Sequence, residues 1–164
     1  MNNRKVYISG EIVPEADAKI SIFDSAVLLG DTVTESTRTF NYKPFKLDDH
    51  LERLYKSFKL TRIDPQMTIE EMKKVSLDLL EINKDQYKGN EDCWLVHNIS
   101  RGHSITGGNP ALQVSKPTVM IYTQPMNLVL WAPFYTKGCH AVTPPTRMVP
   151  SQSLDARIKN RSRL

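Results

Sequence analysis

The feature that most constrains the fold of this chain is a pair of helical segments that lies between two β-prone regions. In the first segment, apolar side chains recur at the three- and four-residue spacing of one helix face. These side chains are Leu51, Leu54, Tyr55 and Phe58. Asp48 stands just before them and is expected to cap the N-terminus of the helix. The spacing predicts an amphipathic helix, with His50, Arg53 and Ser57 on a neighbouring stripe.

The second helical segment begins with Thr68 and Glu71, whose spacing is that of a capping box. Its buried face is predicted at Met72, Val75, Leu79 and Leu80. The periodicity ends near Asn83. The two predicted helices therefore follow one another in the middle of a chain of 164 residues.

β-prone runs precede and follow these helices. The turn pair Ser9-Gly10 predicts an N-terminal hairpin, and the Thr-rich run that begins at Thr32 predicts a long strand. The expected strands are 6–8, 11–13, 18–23, 32–40, 45–47, 93–99, 118–123 and 139–142. A succession of strands, then helices, then strands predicts an α+β fold.

A change of character after residue 123 suggests a domain boundary. The segment from Gln124 to Asn127 contains a proline and lies between apolar, β-prone flanks, which is typical of a linker. The predicted division is a small N-terminal α+β domain at 1–123, a linker at 124–130 and the start of a second domain at 131–164.

Charge and composition limit the classes of partner. The formal net charge is +4, and the last ten residues hold four basic residues against one acidic residue. A nucleic-acid-binding protein is expected to carry a broader basic face, so no nucleic-acid partner is predicted. No apolar run approaches the roughly 20 residues of a membrane helix, so no membrane partner is predicted. Only two cysteines, Cys93 and Cys139, indicate a reducing compartment and a cytoplasmic location.

General motifs for chemistry are absent from the sequence. There is no glycine-rich nucleotide fingerprint and no nucleophile elbow. The four histidines and two cysteines lack zinc-site spacing, so no metal site is predicted.

Five single side chains are candidates for a functional role, and three of them have a plain structural alternative. Arg53 could hold a phosphate in its guanidinium fork, or it could be a solvated helix residue. Lys159 could be a Schiff-base lysine, or an exposed lysine in a basic tail. Glu35 and Arg38 lie three apart on a predicted strand and are expected to face opposite sides. Arg101 could be a loop anchor or a solvated turn residue.

Several segments, taken in order, match one family. They are Val6 to Val13, Ala18 to Asp24, Gly30 to Glu35, Phe45 to Leu54, Ser100 to Gly102, and Asp155 to Asn160. Over essentially its whole length the chain resembles the class IV aminotransferases, the fold-type IV enzymes that depend on pyridoxal phosphate. The block from Leu47 to Leu54 and the approach to Lys159 are the most specific parts of the match.

The resemblance implies a fold and a set of roles. The chain would form the N-terminal lobe of a fold-type IV enzyme and the start of its cofactor-binding domain. Lys159 would form a Schiff base with pyridoxal 5'-phosphate and shuttle a proton, while Arg53 would hold the cofactor phosphate. The residues expected to line the substrate side are Thr34, Glu35, Arg38 and Arg101.

The resemblance also implies an activity, namely amino-group transfer between an amino acid and a 2-oxo acid by a homodimer. The spacing of Glu35 and Arg38 favours the branched-chain type. The D-amino-acid type is disfavoured because its Arg-x-His pair has no match in Gly102 to Gly107. Thr32 and Thr34 depart from the glycine and the aromatic residue that are frequent in the family. Family members continue beyond the lysine, so the 164-residue chain alone is expected to be inactive.

Three alternative functions stay open, the first of which is a D-amino-acid or amine transaminase. The same lysine and cofactor could serve a lyase similar to the aminodeoxychorismate lyases. A non-enzymatic alternative is an interaction module that uses the basic tail from Arg157 to Arg163.

Overall fold

A computed structural model describes residues 3–87, 91–103 and 116–161. Its centre is an antiparallel sheet with the strand order β2-β1-β6-β5-β3-β4. The strands are β1 Lys5–Ile8, β2 Glu11–Pro14, β3 Thr32–Phe40, β4 Lys43–Pro44, β5 Cys93–Ser100 and β6 Thr118–Pro125. The helices are α1 Ser25–Leu28, α2 Leu47–Thr61, α3 Ile69–Asn83 and α4 Leu128–Lys137, with short 3-10 turns at Glu15–Asp17 and Lys84–Gln86. This arrangement confirms the predicted α+β fold.

The core lies between one face of the sheet and the helices α2 and α3. Side chains alternate along a strand, so every second residue of β5 faces the helices. Leu95 and Ile99 of β5 are fully buried against Leu51 of α2 and Met72 of α3. Burying one such side chain contributes about 1.5–3 kcal/mol to the free energy of unfolding. The core therefore fixes how α2 sits over the sheet.

The start of α3 is as predicted, whereas the start of α2 is not. Thr68 Oγ1 accepts a hydrogen bond from the Glu71 backbone N–H at 3.2 Å, and Glu71 Oε2 accepts one from the Thr68 N–H at 2.7 Å. This reciprocal pair is the predicted capping box. Helix α2 begins at Leu47 after Lys46 in the left-handed region, so the prediction that Asp48 is the cap was wrong. Asp48 instead lies in the first turn, where its negative charge interacts favourably with the positive end of the helix dipole.

Three of the predicted strands are wrong. Residues 18–23 do not form a strand, because the chain turns into Asp24, whose side chain caps α1 at 2.8 Å from the Ala26 N–H. Residues 45–47 do not form the predicted edge strand, because β4 ends at Pro44 and α2 begins at Leu47. Residues 139–142 are not a strand either.

The region after β6 differs most from its prediction. The apolar flank that follows the expected linker was interpreted as β-prone, but it forms helix α4 in spite of Pro133. No residue of α4 is buried. The expected linker at 124–130 holds the last residues of β6 and the first turn of α4, and the division into two domains stays a prediction. None of the helices in the described ranges combines the length and apolar character that a membrane crossing needs.

Candidate active site

A buried carboxylate on β3 is the centre of the candidate site. The side chain of Glu35 is 0% exposed and lies on the helix-facing side of the sheet. Helix α2 passes over it and presents His50, Arg53 and Ser57, which recur along one side of a helix. The site therefore depends on the packing of α2 against β3.

Glu35 holds the guanidinium of Arg53 in a bidentate pair. Arg53 Nε lies 2.7 Å from Glu35 Oε2, and Arg53 Nη2 lies 2.7 Å from Glu35 Oε1. The Ser36 backbone N–H donates to Oε1 at 2.9 Å, and His50 Nδ1 lies 3.0 Å from the same oxygen. A buried carboxylate needs such partners, because an unpaired buried charge is costly.

The same contacts decide the ionisation of the pair. Burial alone would raise the pKa of Glu35, but the hydrogen bonds from Arg53 and Ser36 and the charge of Lys159 hold that pKa below its ordinary value. The hydrogen bond to Glu35 in turn raises the pKa of Arg53. Glu35 is therefore ionised at neutral pH and opposite a permanent cation.

Lys159 reaches this carboxylate from the far end of the sequence. The segment around it lies along the edge of β3 away from β5, where the Thr34 N–H donates to the Lys159 carbonyl at 2.9 Å. The Lys159 N–H donates to Ser57 Oγ at 3.4 Å. Lys159 Nζ then lies 3.6 Å from Glu35 Oε1, and its side chain is 28% exposed. We call Glu35, His50, Arg53, Ser57 and Lys159 the Glu35 cluster.

The donor set of the Glu35 cluster suits an anion beside a carbonyl compound. Arg53 and Lys159 place two positive charges around one carboxylate, and His50 adds a third when protonated. Arg53 is 51% exposed, and within the described residues its hydrogen bonds use Nε and Nη2 and leave Nη1. A guanidinium edge binds phosphate oxygens, and a primary amine adds to an aldehyde. These residues fit pyridoxal phosphate.

Two predicted site residues lie on the other face of β3. The Thr34 hydroxyl donates to the His97 carbonyl at 3.0 Å and to Asn98 Oδ1 at 2.6 Å. Arg38 lies over the ring of Phe40, 3.8 Å from its centroid. The expectation that Glu35 and Arg38 face opposite sides is confirmed. The substrate roles of Thr34 and Arg38 stay predictions.

Arg101 is bound at the C-terminal end of α2, away from the Glu35 cluster. Its Nε lies 2.8 Å from Asp31 Oδ2, while Nη1 donates to the Arg62 carbonyl and Nη2 to the Thr61 carbonyl, each at 3.0 Å. The last carbonyls of a helix lack partners within the helix, and these contacts satisfy two of them. Of the two interpretations drawn from the sequence, the loop anchor is confirmed, and a substrate role for Arg101 stays a prediction.

Sequence reasoning missed three members of this neighbourhood. His50 and Ser57 were placed on the stripe of Arg53 but were given no role, although that shared stripe was the available signal. His97 is fully buried on β5 directly opposite Glu35 in the sheet register, with Nε2 2.8 Å from Ser76 Oγ. Burial lowers the pKa of His97 to about 4. In the sequence, His97 lies within the β-prone run 93–99, and nothing in that run indicates a polar contact with Ser76.

No group of three or more acidic, histidine or cysteine side chains in the described ranges is placed to hold a metal ion.

Comparison with known proteins places this geometry in context. A family model described as "Amino-transferase class IV" matches residues 32–164. A protein of Methanocaldococcus jannaschii named "Putative branched-chain-amino-acid aminotransferase" is 34% identical over 156 residues, which cover 95% of this chain and 51% of that protein. A D-alanine aminotransferase of Staphylococcus epidermidis is 31% identical over 120 residues, or 73% of this chain and 41% of that protein. The chain spans about half the length of the curated relatives it matches.

Solved structures share the fold. The branched-chain aminotransferase of Thermoproteus uzoniensis superposes with a TM-score of 0.77 at 24% identity, over 96% of this chain and 51% of that one. A hypothetical aminotransferase from Mycobacterium tuberculosis, in its PLP-bound form, superposes with a TM-score of 0.62 at 22% identity, over 78% of this chain and 42% of that one. At these identities the likeness confirms the expected fold-type IV N-terminal region.

Proposed function

Since the chain belongs to the class IV aminotransferases, we propose that its protein is a pyridoxal-phosphate-dependent transaminase acting on an amino acid and a 2-oxo acid. The observation that carries the proposal is that one buried carboxylate, Glu35, holds both an amine and a guanidinium. Lys159 Nζ lies 3.6 Å from Glu35 Oε1, and Arg53 pairs with both carboxylate oxygens. These are the two groups that the cofactor's aldehyde and phosphate require.

Each residue has a defined task in this proposal. Lys159 Nζ would hold the cofactor through its aldehyde carbon, and Arg53 would bind the phosphate through the part of the guanidinium that faces away from Glu35. When bound, the cofactor supplies an electron sink for the charge that develops at the substrate α-carbon. The free amine of Lys159 would be the base that takes the α-proton of the substrate and carries it to the cofactor. The PLP-bound form of the structural neighbour from Mycobacterium tuberculosis supports this choice of cofactor.

A branched-chain substrate is the favoured proposal. The name of the Methanocaldococcus jannaschii relative and the spacing of Glu35 and Arg38 support it. The relatives named D-alanine aminotransferase support a second candidate, a D-amino-acid transaminase. The sequence argument against that second candidate is that the segment from Gly102 to Gly107 has no Arg-x-His pair. Residues 104–107 of this segment lie outside the described residues.

The substrate proposals separate in one assay of amino-group transfer. The protein, in the longest form its gene encodes, is supplied with cofactor, 2-oxoglutarate and either 15N-labelled L-leucine or 15N-labelled D-alanine. Labelled glutamate from leucine is the expected result. Labelled glutamate from D-alanine alone supports the second candidate. A lyase of the aminodeoxychorismate type would release pyruvate from its own substrate and move no 15N.

A homodimer, which the resemblance implies, and a cytoplasmic location, which the number of cysteines indicates, are both part of the proposal. The two cysteines, buried Cys93 and exposed Cys139, are both free, in keeping with a reducing compartment. The alternative of an interaction module is less well supported, because Arg157 pairs with Asp155 at 2.6 Å and Lys159 pairs with Glu35. A salt-sensitive gel shift with nonspecific RNA would favour that alternative.

The covalent role of Lys159 is tested by reductive labelling. Borohydride reduces the carbon–nitrogen double bond between a lysine and an aldehyde to a stable amine, which mass spectrometry locates. We expect pyridoxal phosphate to label Lys159 at lower concentration than Lys56, which is exposed on α2. Lys56→Arg is the matched control and should leave Lys159 labelling intact. Equal labelling of the two lysines would contradict the proposal.

A further inference from the structure

We propose that Glu35 is a positioning residue, which fixes Arg53 with one guanidinium edge turned outward for phosphate and holds Lys159 beside it. The inference rests on the function proposed above and changes the role of Glu35, which the sequence placed on the substrate side. It follows from where the carboxylate lies and from how its two oxygens are used.

Glu35 is enclosed on the helix side of the sheet. Its side chain is 0% exposed, and both of its oxygens accept hydrogen bonds from Arg53 at 2.7 Å. Oε1 also accepts from the Ser36 N–H and lies 3.0 Å from His50 Nδ1. A carboxylate that is covered by α2 and saturated by these donors is not placed to contact a substrate.

The pairing determines which part of Arg53 is presented. A lone arginine side chain has many rotamers, and this conformational freedom is lost when the side chain binds an anion. Glu35 fixes Nε and Nη2 in advance, and Nη2 also lies 3.4 Å from His50 Nδ1, so the half-exposed side chain offers Nη1. Fixing the donor before binding removes much of that entropic cost. Arg53 is therefore ready to receive a phosphate in one orientation.

Electrostatic repulsion alone predicts that Glu35 weakens the binding of phosphate by Arg53, whereas positioning predicts that Glu35 strengthens it. A carboxylate near a phosphate repels it, so removal of the Glu35 charge would strengthen phosphate binding if only Coulomb interactions mattered. If neutralising Glu35 instead lowers the preference for phosphate, the cause must be that Arg53 is no longer held in position. The sign of the change separates the two explanations.

The experiment compares two aldehydes that differ by the phosphate. We define the phosphate preference as the concentration of pyridoxal that half-labels Lys159 under borohydride, divided by that of pyridoxal phosphate. The variants are Glu35→Gln and, as the matched control, Glu52→Gln. Glu52 also lies on α2, is 62% exposed and pairs with Lys56 rather than with Arg53. The protein is used in the longest form its gene encodes.

We expect the phosphate preference to fall about tenfold in Glu35→Gln, as for the loss of one charge-assisted bidentate contact, and to stay within about twofold in Glu52→Gln. Glu35→Asp, which keeps the charge but shortens the reach, should also lower it and replaces Glu35→Gln if that variant does not fold. An unchanged or increased preference in the folded variants would overturn the inference. So would a wild-type protein that labels Lys159 with no preference for phosphate. Absence of selective Lys159 labelling in the wild type would instead reject the proposed function.

Discussion

Two arginines at helix α2 have different kinds of partner. Arg53, on the helix itself, pairs with the buried carboxylate of Glu35 and keeps half of its side chain exposed. Arg101, from the turn after β5, donates to two carbonyls at the C-terminal end of α2 and to Asp31. We call the region around Arg101 the Arg101 cap and compare it with the Glu35 cluster.

The difference shows how the same guanidinium can support binding or stability. In the Arg101 cap, donors satisfy backbone carbonyls that would otherwise lack partners, which stabilises the helix end. In the Glu35 cluster, the donors on one side are paired and the opposite edge is presented to solvent. We therefore expect changes at the cap to alter stability first, and changes at the cluster to alter anion binding first.

The largest expected effect is at the glycine beside the Arg101 cap. Gly102 has a φ of +96°, and a Cβ there would collide with the Lys116 carbonyl group, whose carbon atom would lie only 2.9 Å away. Gly102→Ala should therefore lower the free energy of unfolding by about 3 kcal/mol or more. Gly10→Ala is the control, because Gly10 also has a positive φ of +109° but an added methyl group there would have nothing within 4 Å. It should cost only about 1 kcal/mol.

Urea unfolding of the two glycine variants checks this prediction. Similar losses in both would show that backbone strain alone, and not the contact with Lys116, decides the cost at Gly102. The cap would then be less tightly packed than the described contacts indicate.

The second expected effect is a pH dependence of the free energy of unfolding, caused by His97, which lies opposite Glu35 in the sheet. Burial lowers the pKa of His97 from 6.5 to about 4, so between these values the unfolded chain takes up a proton that the folded chain does not. The free energy of unfolding should therefore fall as the pH drops from 6.5 towards 4, by about 2–3 kcal/mol. Well above pH 6.5 the histidine is neutral in both states and adds no slope.

Unfolding curves at several pH values, for the wild type and His97→Gln, measure this contribution. The variant does not titrate at this position and should have a flatter profile between pH 4 and 6.5. An identical slope in both proteins would assign the pH dependence to other groups.

Local patterns predicted much of the fold. The capping box of Thr68 and Glu71 and the apolar stripe of Leu51 and Leu54 depend on neighbours within a few residues, and both are confirmed. Some of the errors arose where the outcome depends on residues distant in sequence. The weak alternation of residues 18–23 meets no strand, and the apolar run of α4 carried no periodicity that separates a helix from a strand.

The candidate site shows the same limit. Arg53 and Lys159 were identified through a family resemblance, and the structure brings them together on Glu35. That Glu35 faces α2 follows from the register of β3 with β5 and from the packing of α2, neither of which a single sequence displays. The fully buried His97 could not be foreseen for the same reason.

The most direct test of the difference between the two regions is the phosphate preference of Lys159 labelling in Arg53→Gln and Arg101→Gln. Both variants remove one guanidinium next to α2, so they are matched in charge. The predicted result is a phosphate preference at least about tenfold lower in Arg53→Gln, with pyridoxal labelling little changed, and a wild-type preference in Arg101→Gln. A preserved preference in Arg53→Gln, or an equal loss in both variants, would contradict the assignment of Arg53 to the phosphate.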